Sequence, residues 1–268
     1  LAFDRIRSGT GDMKDWRARL RGLFAGPSGP AVAAARSSVP ADTLVIAIGD
    51  LHGRIDLLER LWTQLQPIAR KSDCRHRVLV FLGDYVDRGP QSAALVDRLL
   101  EGFDGFDIVF LRGNHEETML RFLSDPSVGP LWQDFGGIDT LRSYGIEHAP
   151  GSSWADTRAA FALALPEHHH AFFKNLKLHH AVGDYVFVHA GLRPHTRLED
   201  QSEHDLLWIR EDFLESQASF GRIVVHGHTP TQAPEVRDNR IGIDTGAFYT
   251  GKLTALVLEG RQRRLVST

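Results

Sequence analysis

From Thr43 onward the chain is punctuated by short apolar runs: LVIAI, VLVFL, DIVFL, YVFVHA, RIVVHG, RIGIDTG and TALVLEG. Each is the length of a buried strand. Between the early ones lie RIDLLERLWTQLQPIAR and PQSAALVDRLLEGF, whose apolar residues recur at helical spacing. This alternation predicts an α/β class. The later runs follow one another more closely, which predicts hairpins and a second sheet. Residues 118–180 show helical patterning without strand signals and read as a helical insertion covering one end of the sheet.

Five of the runs stop at a polar cluster. In order these are GDLHG (Gly49 to Gly53), GDYVDRG (Gly83 to Gly89), RGNHEE (Arg112 to Glu117), HAG (His189 to Gly191) and HGHTP (His226 to Pro230). One such cluster is an ordinary turn signal. Five at the carboxyl ends of strands, where open α/β sheets bind ligands, are not. Asp50, His52, Asp84, Asn114, His189 and His228 offer oxygen and imidazole donors without a thiolate. That set suits Mn²⁺, Fe or Zn²⁺ better than Cu(I), or Ca²⁺ in an all-oxygen cage. Six donors exceed one tetrahedral ion and suit two ions sharing a carboxylate. Such a pair, roughly 3.5–4 Å apart, stabilises both oxygens of a phosphoryl transfer. Arg88 and Arg112 flank these motifs, and a guanidinium fork matches phosphate oxygens. Metals with arginines suit a phosphoryl group better than an ester carbonyl.

Taken in order, GDLHG, GDYVDRG, RGNHE, HAG and GHTP resemble the signature of the calcineurin-like metallophosphoesterases, in particular the phosphoprotein phosphatase branch with its bacterial serine/threonine members. The resemblance extends from about Val45 to Leu258. It implies a β-sandwich of two mixed sheets flanked by helices. It also implies that Asp50 and His52 hold one metal, that Asn114, His189 and His228 hold a second, and that Asp84 bridges them. His115 would be the proton donor, Asp87 its orienting partner, and Arg88 and Arg112 the phosphate ligands. LLWIRED resembles a segment of bacterial members that adds a further phosphate arginine, here Arg210. Two divalent ions are expected, manganese first, with Fe or Zn²⁺ as alternatives. The most economical mechanism is direct attack on phosphorus by a metal-bridging water, because no Ser or Cys lies in the motifs to form a phosphoenzyme. Bacterial members of this size divide between protein phosphatases and dinucleoside polyphosphate hydrolases. The latter typically lack the aspartate of DRG and carry GNHD. Asp87 and Glu116 therefore lean toward a phosphorylated protein or peptide substrate. A non-catalytic module of the same fold is the remaining rival, and every ligand position is present to argue against it.

Residues 1–42 differ from the rest, mixing basic residues with Gly, Pro, Ala and Ser. A basic helix is expected near 12–24, with Trp16, Leu20, Leu23 and Phe24 near one face, then a linker to about Ala41. The catalytic domain is expected over 43–268. The net charge of −3 gives no global attraction to nucleic acid or membrane. No apolar run reaches the roughly 20 residues of a membrane span. A single cysteine, Cys74, allows no internal disulfide, which fits a cytoplasmic location. His226 reads as a supporting residue, the HHH of 168–170 as a solvated face with adventitious metal binding as its alternative, and His179 and His180 as structural. Glu116 suits the dipole of the helix it opens, and Tyr249 is weighed between the site and simple packing.

Overall fold

The computed structural model describes residues 37–268. The expected basic helix at 12–24 and most of the expected linker lie outside the described residues. Ser38 and Val39, at the linker's end, are packed: the Val39 amide donates to the Gly260 carbonyl at 3.0 Å, and the Ser38 amide to the Asp184 carboxylate at 2.9 Å.

β1 (Thr43–Ile48) is buried along its whole length. Leu44, Ile46 and Ile48 face one apolar cluster while Val45 and Ala47 face another. A strand covered on both faces reads as an unbroken apolar run, which is why the sequence shows LVIAI rather than alternation. The chain then alternates through α1 (Ile55–Lys71), β2 (His76–Phe81), α2 (Ser92–Leu100) and β3 (Asp107–Phe110). In α1 the buried set Leu57, Leu58, Leu61, Trp62, Leu65 and Ala69 forms one helical stripe. Next come five helices: α3 (Asn114–Ser124), α4 (Gly129–Asp134), α5 (Gly137–Ser143), α6 (Trp154–Ala164) and α7 (Glu167–Lys174). β4 (His179–Val182), β5 (Tyr185–Val188), α8 (Glu203–Trp208), α9 (Glu211–Leu214), β6 (Ile223–His226), β7 (Glu235–Val236), β8 (Arg240–Gly242), α10 (Ala247–Thr250), β9 (Thr254–Glu259) and β10 (Gln262–Ser267) complete the order.

The strands form two five-stranded sheets, ordered β10-β9-β1-β2-β3 and β4-β5-β6-β8-β7. Both are mixed. β1, β2 and β3 run parallel, and β9 lies antiparallel between β1 and β10. β5, β6 and β8 run parallel, with β4 and β7 antiparallel at the edges. Val45, Val80, Leu82 and Leu256 of the first sheet pack against Phe187, Val225 and Ile241 of the second. The helices α1 to α7 cover the outer face of the first sheet. Leu206 of α8 and Phe213 of α9, with Ile209 between the two helices, cover Val186, Val188 and Val224 of the second. The expected sandwich of two mixed sheets flanked by helices is therefore present.

The insertion's limits differ from expectation. Its first helix starts at Asn114, inside the third motif, and His179 and His180 already belong to β4. β7 and β10 were not foreseen. β10 is an edge strand rich in Gln and Arg, which blunts further pairing.

Candidate active site

Asp50, Asp84 and Asn114 leave the carboxyl ends of β1, β2 and β3; His189 and His228 leave those of β5 and β6. The site therefore straddles the seam of the sandwich. The loops that carry it adopt costly backbone conformations. His52 (φ 44°), Asp84 (53°), Asp87 (71°), Arg88 (68°) and His228 (65°) all lie in the left-handed region. Each costs about 1–2 kcal/mol for a residue with a side chain. Such strain persists only where surrounding contacts over-determine it.

Glu116 supplies much of that determination. Its buried carboxylate accepts from the amides of Asp84 (2.9 Å), Tyr85 (2.7 Å), Val86 (3.2 Å) and Gly113 (2.9 Å). It thus ties the second motif to the third, a larger part than favouring a helix dipole. Close approach does the rest. A Cβ added at Gly113 would land on Oδ1 of Asp84, and one at Gly227 on Oδ1 of Asp50.

The donor atoms converge on Asp84. Its Oδ2 lies 3.5 Å from His52 Nε2, and its Oδ1 lies 3.4 Å from His189 Nε2. Donor atoms of His52, Asp84 and His115 lie within 4.8 Å of one another, as do those of Asp84, His189 and His228. Asp84 is common to both groups. Asn114 Oδ1 sits 2.9 Å from His189 Nε2 and 2.8 Å from His228 Nδ1. Asp50 Oδ2 accepts the His228 amide at 2.9 Å. His52 and His189 each place Nδ1 at 2.8 Å from a backbone carbonyl, of Val86 and Leu82. A carbonyl only accepts, so both rings carry the proton on Nδ1 and turn the Nε2 lone pair toward Asp84.

This donor set fits divalent cations. Asp50 Oδ1 and His228 Nε2 are buried without a hydrogen-bond partner. Burial holds His52 and His228 well below the usual imidazole range and His189 at about 4, so their lone pairs are free. Burial, then the nearby Asp244 and Asp84, pushes Asp50 up; burial pushes Asp84 to about 7. Carboxylates crowded in this way ionise readily only with positive charge between them.

His115 is oriented by a partner outside the cluster. Its Nδ1 lies 2.7 Å from Asp87 Oδ2, while Nε2 faces the cluster, 3.8 Å from Asp84 Oδ2. Asp87 is fully buried and held by two residues of the insertion. Trp132 Nε1 donates to both carboxylate oxygens (3.0 and 3.1 Å), and Thr140 Oγ1 donates to Oδ1 (2.7 Å) while accepting the Asp87 amide (2.7 Å). Burial pushes His115 down and Asp87 up; the Thr140 bond opposes the rise at Asp87.

Of the three arginines, Arg88 reaches the cluster directly. It donates to His52 Nε2 at 3.0 Å and lies over the Phe248 ring, 4.7 Å from its centroid. Arg210 donates to Thr229 Oγ1 at 3.0 Å, and its charge is felt at Asp84 and His228. Arg112 points its Nη1 to Glu203 of α8 at 2.8 Å, so an acidic residue holds one nitrogen of its fork.

Four residues here escaped the sequence reading. Trp132 and Thr140 sit in amphipathic helices, where Trp and Thr read as packing. Phe248 packs on His52, ring centroids 5.4 Å apart. Asp244 is buried beside Asp50 and accepts the Gly246 amide at 2.8 Å; an aspartate ending the run RIGID was the available signal. His226 is buried against Arg240 and the Gly227 carbonyl, a supporting role as expected. Tyr249 is exposed beside Phe248. The HHH stretch needs correction: His169 is 1% exposed and bonded on both nitrogens, so it is no solvated face.

Comparison with known proteins agrees with this geometry. Bis(5'-nucleosyl)-tetraphosphatase PrpE of Anoxybacillus flavithermus is 25% identical over 229 residues, covering 78% of this chain and 88% of its own. Serine/threonine-protein phosphatase 1 of Salmonella typhimurium is 29% identical over 217 residues, covering 78% and 89%. A crystal structure of a chain provisionally named a diadenosine tetraphosphatase shares the fold, with a TM-score of 0.57 at 22% identity, covering 85% of this chain and 98% of that one. The family model for calcineurin-like phosphoesterases matches residues 43–253. That span opens with β1, closes just before β9 and takes in every residue of the site, so the chain belongs to the calcineurin-like phosphoesterase family.

Proposed function

We propose that this phosphoesterase is a protein phosphatase that hydrolyses phosphate monoesters of alcohol side chains and depends on two divalent cations. Asp50 and His52 would hold one ion, and Asn114, His189 and His228 the other. Asp84 would touch both. Manganese is the expected occupant, with Fe or Zn²⁺ as alternatives. When bound, the ions supply Lewis acidity, offsetting phosphoryl charge and lowering the pKa of water. The protein's own groups do the rest. Arg88 and Arg210 hold phosphoryl oxygens, and Arg112 joins them once it leaves Glu203. His115 gives its Nε2 proton to the departing oxygen while Asp87 holds Nδ1. A phosphate dianion arriving beside Nε2 favours the charged ring, opposing the effect of burial.

The observation that carries this reading is the braced pair of Asp87 and His115. An alkoxide is a poor leaving group and gains most from a proton donor. A nucleotide leaving from a phosphoanhydride is already a stable anion and gains little. A second reading, hydrolysis of dinucleoside tetraphosphates, is favoured by the similarity to PrpE proteins. The test is competition on metal-loaded enzyme among a phosphoserine peptide, a phosphotyrosine peptide and diadenosine tetraphosphate. The expected order puts phosphoserine peptide first in kcat/KM, with all activity lost to chelator. A preference for diadenosine tetraphosphate would replace the first reading with the second.

A further inference from the structure

The corrected HHH stretch brings together side chains that the phosphoesterase site does not use. His169, in the first turn of α7, is buried, yet its Nε2 reaches Asp97 Oδ1 on α2 at 2.9 Å. His168 Nε2 approaches the same oxygen at 3.7 Å. All three donor atoms lie within 4.8 Å of one another. A tetrahedral ion with bonds near 2.0–2.1 Å sets its donors about 3.3 Å apart, between the two measured spacings. The carboxylate and the His168 ring are both mostly exposed, so solvent can complete the coordination.

The surroundings of His169 favour a ligand. Its Nδ1 lies 2.8 Å from the phenol oxygen of Tyr144. The Asp97 carboxylate only accepts, so Nε2 carries the proton here and the Tyr144 hydroxyl, which burial keeps neutral, donates to Nδ1. A cation at Nε2 would replace that proton, and the phenol, which accepts as well as donates, would then take the Nδ1 proton, as in metal sites whose histidine is oriented by an outer partner. Burial also lowers the proton affinity of His169, which favours the neutral ring. Two imidazoles and one carboxylate are a set for zinc rather than for magnesium or calcium, which take oxygens in larger number.

We propose that Asp97, His168 and His169 form a second, structural metal site that binds Zn²⁺ and clips the helical insertion to α2. It shares no residue with the catalytic cluster. Tyr144 lies at the end of α5, the helix that carries Thr140, so the clip bears on the element that holds Asp87.

The test counts zinc. Wild-type protein and three variants, His168→Ala, Asp97→Asn and His170→Ala, are dialysed against micromolar free Zn²⁺ and analysed for metal content. Wild type and His170→Ala are expected to hold one zinc per chain more than His168→Ala and Asp97→Asn. Zinc is also expected to raise the Tm of the first pair more than that of the second. His168 and Asp97 are exposed, so these substitutions leave the core intact. Equal zinc content in all four proteins, or an extra ion lost from His170→Ala instead, overturns the proposal.

Discussion

His115 sits next to Asn114 in the chain but turns its ring to Asp87, so the metal holding and proton transfer proposed for the two are separable. His115→Asn is expected to retain the metals and to lose about 10²–10⁴-fold in rate on a phosphoserine peptide. The loss on p-nitrophenyl phosphate should be much smaller, because nitrophenolate needs no proton to leave. Rates under single-turnover conditions, with metal content measured alongside, check this; equal losses on both substrates would remove His115 as the acid. At this scale the converging donor side chains were legible, because Asp, His and Asn beside glycine at five strand ends have few bland explanations. Trp132 and Thr140 were not. Each is an unremarkable helix residue until the fold brings it to Asp87, 45 and 53 positions away.

Among the elements, α3 does more than follow a strand. Its first turn delivers Glu116 to four backbone amides of two loops, two of them at or beside the strained Asp84. Glu116→Gln keeps the size but turns an NH₂ group toward donors that have no other acceptor. Leaving buried donors unpaired should cost about 2–4 kcal/mol of stability. Denaturant unfolding of the metal-loaded protein measures it, and a loss within experimental error would show that the loops hold themselves. The helix was legible as a helix, and its acidic start as favourable. The four-amide grip was not, because no sequence pattern states which backbone groups lack partners. The same holds for β4 and β10, whose histidines and arginines carry no apolar alternation to mark a strand.

For the whole molecule, metal binding is coupled to protons. In the cation-free fold the Asp84 carboxyl is pushed to about 7, and it must be ionised to bind a cation. Affinity for Mn²⁺ should therefore rise with pH through about 7, as Asp84 and the likewise raised Asp50 give up their protons. More protons should be released on binding at pH 6 than at pH 8. Titration calorimetry in two buffers of different ionisation enthalpy reads both, and a pH-independent affinity across that range would contradict the shift. Among the described residues no helix is long and apolar enough to cross a membrane. The class, the two sheets and the place of the site were legible because apolar runs and their terminal clusters are local signals. Which strands pair was not, since β1 takes its antiparallel neighbour from β9, more than 200 residues later.

That pairing has a consequence for how the protein comes into being. The ribosome makes β1, with Asp50 just beyond it, long before β9, and His228 is made between them. Until β9 and β10 emerge, β1 lacks one of its two neighbours, and the amide of Gly49, directly before Asp50, lacks the Thr254 carbonyl it donates to. The contact that fixes the backbone next to Asp50 therefore comes only once translation has passed residue 254. The donors gathered at the seam of the two sheets are thus completed from the chain's two ends rather than from one local segment.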